Sequence, residues 1–256
     1  MKKTIKYLLA VLLFAFVLVP FTKASAAVAP AAPTGLGLAG QNKTKYMLKW
    51  NFDSNIPIST DNNNFGYEVV ITTLKNKKIK TVDYNAQTNY SSNIAYDVEN
   101  ITPNVIFVTT DYSTVYANVS NSKLEKQAFK YKVRAYTFDA MGNKLYGEYS
   151  ADKVIVPRPT ITKLKATSRS TGKITWKKIS GAKSYTVYVS TDGGNKFKRK
   201  GTTKSNSFTV KGMKLYTTYP VYVVANGVKF KKKKFNSTKP EVKTSNASTI
   251  KIYLSY

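Results

Sequence analysis

Lys173-Ile174-Thr175-Trp176-Lys177 sets lysines and a threonine at alternate positions, with Ile174 and Trp176 at the positions between them. Successive side chains of an extended chain point to opposite faces, so this stretch reads as a half-buried strand with its indole in a core. Lys45-Tyr46-Met47-Leu48-Lys49-Trp50 repeats the arrangement upstream, its lysines on one face and Tyr46, Leu48 and Trp50 on the other. Period-two runs rich in Val, Ile, Thr, Tyr and Phe recur through the chain between turn-forming clusters, and helical periodicity is hard to find. Tyr67-Glu68-Val69-Val70-Ile71 and Tyr185-Thr186-Val187-Tyr188-Val189 follow the two tryptophan strands. The second of these leads through Asp192-Gly193-Gly194, strong hairpin chemistry, into Lys196-Phe197-Lys198. Farther on, Tyr131-Lys132-Val133-Arg134-Ala135 matches Tyr219-Pro220-Val221-Tyr222-Val223 at an offset of 88 residues. The order Trp, Tyr-x-Val, Tyr-x-Val-x-Ala/Val therefore occurs twice, which marks a duplicated β unit.

Each unit resembles the fibronectin type III family. In the second, the resemblance rests on Pro159, Ile174-Thr175-Trp176, Gly181-Ala182-Lys183-Ser184-Tyr185, Leu215 and the run beginning at Tyr219. In the first it rests on Pro33, Leu38, Trp50, Tyr67, Tyr131 to Tyr136, Gly142 and Tyr149-Ser150. The resemblance implies an all-β chain of two tandem immunoglobulin-like sandwiches, with Trp50, Trp176, Tyr131 and Tyr219 as core residues. The expected division is a signal peptide over 1–26, a first module over 30–157, a second over 158–244, and an extra strand or tail over 245–256. The first module departs from the pattern at 53–65, which lengthens one connection, and at about 82–126, which reads as an insertion containing the strand-like run Val105 to Val119. Thr249 to Leu254 alternates and is expected to add to a sheet edge.

Lys2, Lys3 and Lys6, the apolar run Tyr7 to Val19 and Ala24-Ser25-Ala26 have the form of an export signal. Thirteen apolar residues fall short of the roughly 20 a spanning helix needs. No cysteine follows for lipid attachment and no LPxTG-like sequence supports covalent wall anchoring, so the mature product is expected to be secreted or loosely associated with the cell wall. The form of the signal and the Lys/Asn/Tyr-rich composition resemble exported Gram-positive bacterial proteins.

The 256 residues include no His and no Cys. That removes the common proton shuttle near neutral pH, thiolate catalysis, Cys/His zinc sites and disulfides. Gly35-Leu36-Gly37-Leu38-Ala39-Gly40 satisfies G-x-G-x-x-G but lacks the preceding strand and following helix of a dinucleotide site, so it reads as a glycine-rich first strand. Asp61 to Gly66 lacks the ligands of a calcium loop. Ser120/Lys123 and Ser170/Lys173 fit S-x-x-K without the accompanying K-T-G. Asp97 and Glu99, the closest carboxylate pair, read as a loop edge or solvated strand. No catalytic residue, metal or cofactor is expected.

Charge carries the functional signal. Residues 27–157 hold 14 Lys+Arg and 11 Asp+Glu, whereas residues 158–256 hold 23 and 2. Lys229, Lys231, Lys232, Lys233 and Lys234, punctuated by Phe230 and Phe235, place charge on both faces of a short run after the Asn226-Gly227 turn, so the run should project as a hairpin or loop between the last two strands. Lys196, Lys198, Arg199 and Lys200 occupy an expected edge strand, and the two clusters are expected to share one cationic sheet surface. Anionic polymers such as teichoic acid, glycosaminoglycan or extracellular DNA are the partners this surface suits, with salt-sensitive affinity. A protein-adhesion or spacer role using exposed sheet edges stands beside it. Tyr112 and Tyr116 are expected on one strand face, either packed or presented as a stacking platform.

Overall fold

The computed structural model describes residues 28–56, 64–86, 105–109, 111–214, 216–239 and, as backbone alone, 250–253. The first module consists of β1 (Gly37–Asn42), β2 (Lys45–Asn51), β3 (Phe65–Thr73), β4 (Lys78–Asn85), β5 (Ile106–Val108), β6 (Thr114–Ser120), β7 (Phe129–Phe138), β8 (Lys144–Tyr146) and β9 (Lys153–Ile155). They form two antiparallel sheets, ordered β1-β2-β6-β5 and β4-β3-β7-β8, with β9 also paired to β7. Tyr46, Leu48 and Trp50 of one sheet meet Tyr67, Val69 and Ile71 of the other in one core, where the Trp50 and Tyr67 rings lie edge to face at 5.1 Å. The alternation read from Lys45 to Trp50 thus points its apolar face at the opposing sheet, as a sandwich requires.

The second module repeats the plan with β10 (Ile161–Ser168), β11 (Thr171–Trp176), β12 (Ser184–Ser190), β13 (Phe197–Thr203), β14 (Ser207–Lys211), β15 (Thr218–Asn226), β16 (Val228–Phe230), β17 (Lys233–Phe235) and β18 (Ile250–Tyr253). Sheet β10-β11-β14 packs on sheet β13-β12-β15-β18, and β16 with β17 forms a separate two-stranded hairpin. Trp176 is 1% exposed, edge to face with Tyr185 at 5.5 Å. Tyr219 Oη accepts from Lys214 N at 2.6 Å, tying the start of β15 to the preceding loop in a tyrosine corner. Tyr131, its counterpart, reaches across the sandwich instead, with its hydroxyl 2.8 Å from Gly37 O and 3.0 Å from Lys49 O.

One expectation needs correction. The run Val105 to Val119 is not an inserted strand. It is two strands, and β6 belongs to the sandwich itself. β6 pairs with β2 along seven residues, and its Val115, Ala117 and Val119 are fully buried. Without it, β2 would expose an edge and the core would lose a wall. The residues before it, 87–104, lie outside the described part.

The modules meet at a polar junction. Gln41 is 5% exposed, and its amide bonds Arg158 reciprocally: Arg158 N donates to Oε1 at 2.9 Å and Nε2 donates to Arg158 O at 2.8 Å. The Arg158 guanidinium is buried against carbonyls of Thr238 (3.1 Å) and Gln41 (3.4 Å). Burial pushes it down to about 10, so it remains charged at neutral pH. Ser180 N donates to Lys126 O at 2.8 Å, and Lys177 Nζ to the buried Glu125 carboxylate at 2.7 Å. The Pro157-Arg158-Pro159 linker is therefore held by side chains from both modules, not by proline stiffness alone.

Candidate functional site

β16 and β17 place the densest basic run in a hairpin whose turn is Lys231-Lys232, with Phe230 opposite Lys233. Lys231 adopts φ +53°, the left-handed region that side chains other than glycine enter at a cost. The phenyl groups explain the form. Phe235 packs against the second core, and the Phe230 and Phe235 ring centroids lie 6.5 Å apart, which leaves Lys229, Lys231, Lys232, Lys233 and Lys234 exposed. Lys130 of the first module stands 5.8 Å from the Phe230 ring, so the hairpin lies beside the junction.

Lys196 precedes β13, and Lys198, Arg199 and Lys200 lie along it, all exposed. Here the expectation of a single shared surface is corrected. The hairpin is not part of the β13 sheet. It leaves β15 after Asn226, which pairs with Ser184 at the start of β12, whereas Phe197 pairs with Ser190 at its end. Six residue steps of strand separate those ends, about 20 Å. The outward side of the intervening sheet carries rings instead: Tyr188 and Tyr222 stack at 4.8 Å, Phe197 lies 4.8 Å from Tyr222, and Lys239 Nζ is 5.0 Å from Tyr188.

The other sheet of the second module holds a basic group that the sequence reading left unassigned. Leu164, Ile174, Phe208 and Val210 point inward, so the residues alternating with them form the outer face. Lys163 and Lys165 lie two apart on β10, Lys165 is the direct partner of Lys173, and Lys211 sits diagonally from Lys173 on β14. Thr175, Ser207, Thr209 and Thr171 fill the remaining positions. All four lysines are exposed, and the described face has neither a carboxylate nor an apolar side chain. The signal was present in the alternation of Lys163-Leu164-Lys165 and Lys173-Ile174-Thr175, but only the register brings three strands' lysines together.

Acids do not offset this charge. Asp192 is the one carboxylate among the described residues of the second module. Its carboxyl is taken by the β12–β13 turn, accepting from Ser190 Oγ at 2.6 Å and Lys196 N at 2.9 Å. Those hydrogen bonds, the Ser190 hydroxyl first, hold it below the usual carboxylate range. Ion pairs in the described residues of the first module are, by contrast, internal: Lys130 with Asp152, Arg134 with Glu68, Lys144 with Asp83. Glu68 also accepts from Tyr149, and the Arg134 guanidinium lies 3.8 Å from the Tyr146 ring centre. These carboxylates are consumed as staples across the β4-β3-β7-β8 sheet.

The remaining motifs resolve locally. Gly37 to Gly40 lies in β1, Ser170 lies between β10 and β11, and Ser120 ends β6. Tyr112 and Tyr116 do not share a strand face, a further correction. Tyr112 sits in the β5–β6 turn at φ +51°, half exposed beside Phe52, whereas Tyr116 is in β6. Asp97, Glu99 and Asp61 lie outside the described residues. Among those described, no three His, Cys, Asp or Glu side chains gather as a metal site, and no helix is long and apolar enough to cross a membrane.

No family model matches the chain, and no curated protein does. Among solved structures it is similar to the FN1-FN3 domains of chicken CNTN1, at 18% identity and a TM-score of 0.29. The match covers 88% of this chain and 65% of that one.

Proposed function

We propose that the chain is an exported, non-catalytic attachment protein acting at the cell envelope or outside it, and that its second module binds an anionic polymer. The observation that supports this is the imbalance in pairing. Every described ion pair within a single module belongs to the first, while the only described carboxylate partner of a second-module lysine, Glu125, comes from its neighbour. A surface of exposed lysines concentrates polyanions and releases their counterions on contact. The sandwich supplies the frame and no reacting group.

Binding of the intact two-module chain to immobilised heparin and to single-stranded oligo(dT), eluted with a salt gradient, tests the proposal. Retention well above physiological salt is expected, with earlier elution when Lys231, Lys232, Lys233 and Lys234 are changed to Ala or when Lys196, Lys198, Arg199 and Lys200 are changed together. Passage of the wild-type chain through both matrices at low salt overturns it. The spacer or adhesion reading, in which sheet edges take up a protein partner, then gains.

A further inference from the structure

We infer that the outer face of the β10-β11-β14 sheet is the principal polymer site of the second module, and that its occupant is a flexible, single-chain phosphodiester polymer. The inference rests on the proposed function above and names the surface that performs it. Three features single out this face. Lys165 and Lys173 are direct cross-strand partners, an arrangement that repels and weakens a sheet when left alone. Lys163 and Lys211 extend the charge to either side, so one sheet face presents four ammonium groups with hydroxyls between them and, among the described residues, no acid to quench them. The other two basic clusters lack this order: one is a short hairpin and the other runs along a single edge strand.

Geometry narrows the ligand. Neighbouring strands lie about 4.8 Å apart and alternate residues about 6.7 Å apart, so the face is roughly 10 Å wide. That suits one extended chain of single negative charges lying along or across the strands. It offers no helix or ribbon to enter a duplex groove. Among the described residues no aromatic side chain stands on the face to stack a base, so recognition is of phosphate and not of sequence.

The test compares two variants of the intact chain. In the first, Lys163, Lys165, Lys173 and Lys211 become Gln; in the second, Lys231, Lys232, Lys233 and Lys234 become Gln. Binding to oligo(dT) and to base-free poly(glycerol phosphate) is measured across a salt series. Each lost phosphate contact on a single strand lowers the slope of log K against log salt by about 0.7, so removing four sheet lysines should lower it by about 3. The hairpin variant should lose less, and both probes should bind the wild type alike. Because the substitutions relieve repulsion, the sheet variant should melt no lower than the wild type without polymer, and it should lose the rise in melting temperature that polymer gives. Equal binding by wild type and sheet variant overturns this inference and leaves the polyanion reading standing. A wild type that binds neither probe overturns this inference, and one that also passes through heparin at low salt overturns the polyanion reading with it. Strong preference for oligo(dT) over the base-free polymer overturns the assignment of ligand chemistry.

Discussion

The same outer sheet face is built twice in this molecule, once as a largely covered face of apolar side chains flanked by lysines and once as an open face of lysines and hydroxyls. In the first module it carries Met47, Phe107 and Tyr116 beside the half-buried Lys45 and Lys49, with Met47 and Phe107 buried and Met47 packed against Ala39 and Tyr116. In the second it carries Lys163, Lys165, Lys173 and Lys211, all exposed. Inward positions agree between the copies: Leu48 and Trp50 correspond to Ile174 and Trp176, all buried. Packing between sheets fixes the inward set, because a polar or undersized residue there leaves a cavity or an unpaired group. The second module's outward lysines, all exposed, are under no such demand. What differs there is the net charge left open to solvent, which is the difference the proposed function draws on.

The largest way to break this comparison is through the cores. Trp50→Ala and Trp176→Ala should each cost about 3–5 kcal/mol. The consequences should differ. Among described residues, 23 buried side chains join the first cluster and 15 the second, two of the latter, Ala128 and Val156, lent by the first module. The second module also carries its own repulsion. Trp176→Ala should therefore unfold it at room temperature, seen as cleavage by protease downstream of Pro157, while Trp50 fluorescence still reports a cooperative urea transition. Trp50→Ala should leave a folded chain of lower stability. If the one remaining tryptophan, which reports the unsubstituted module, shows its urea transition lowered as far as the loss in the substituted module in either variant, the modules form one cooperative unit and the contrast between them fails.

The junction gives the intermediate effect. Glu125 is 4% exposed, and Lys177, its partner, is considerably more open. Burial pushes the Glu125 carboxyl up, but the hydrogen bond and charge of Lys177 outweigh it and hold the group below its ordinary value of 4.5. A carboxylate depressed on folding adds stability above its unfolded value, and that stability is lost as pH falls through the folded one. The junction should accordingly loosen on acidification below about pH 4.5. Lys177→Ala at neutral pH leaves a buried carboxylate without its partner, a cost of about 1–2 kcal/mol after allowance for the exposed ammonium. Differential calorimetry should show the two module transitions moving apart in the variant. It should show the same in the wild type at acid pH, and a smaller acid effect in Glu125→Gln.

Much of this fold could be read in the chain, and the reasons are specific. Trp50, Trp176, Tyr67, Tyr185, Tyr131 and Tyr219 signal themselves because strand alternation is local. Pairing is not local. β6 was hidden because Thr114 to Ser120 is separated from β2 by more than 60 residues, and only register shows that it walls the first core. Ser150 and Ser237 illustrate the same limit. Each is buried and exchanges two hydrogen bonds with a residue of the long central strand, Ser150 with Val133 and Ser237 with Ala225. They stand at different rungs, so no fixed offset betrays them. The lysine face was missed likewise: a run such as Lys231 to Lys234 draws the eye, whereas Lys163, Lys165, Lys173 and Lys211 become a group only through three strands in register.

The smallest effect sharpens the comparison most directly. Lys165→Thr removes one of two opposed ammonium groups and supplies a β-branched residue suited to a strand. Relief of a like-charge cross-strand pair is worth roughly 0.2–1 kcal/mol, so the variant should melt slightly higher than the wild type. Lys49→Thr makes the matching change in the first module, where the cross-strand partner is Tyr116 and the lysine stem lies against Gly37. That variant should gain nothing and lose a little packing. Salt separates charge from propensity. The Debye length shrinks from about 30 Å at 0.01 M to about 8 Å at 0.15 M, so repulsion is screened as salt rises while strand preference is not. The Lys165→Thr gain should shrink over that range, and the Lys49→Thr effect should stay put. A gain that ignores salt would trace to threonine's fit in the strand, and the second module's outer face would then differ from the first in composition without being under electrostatic strain.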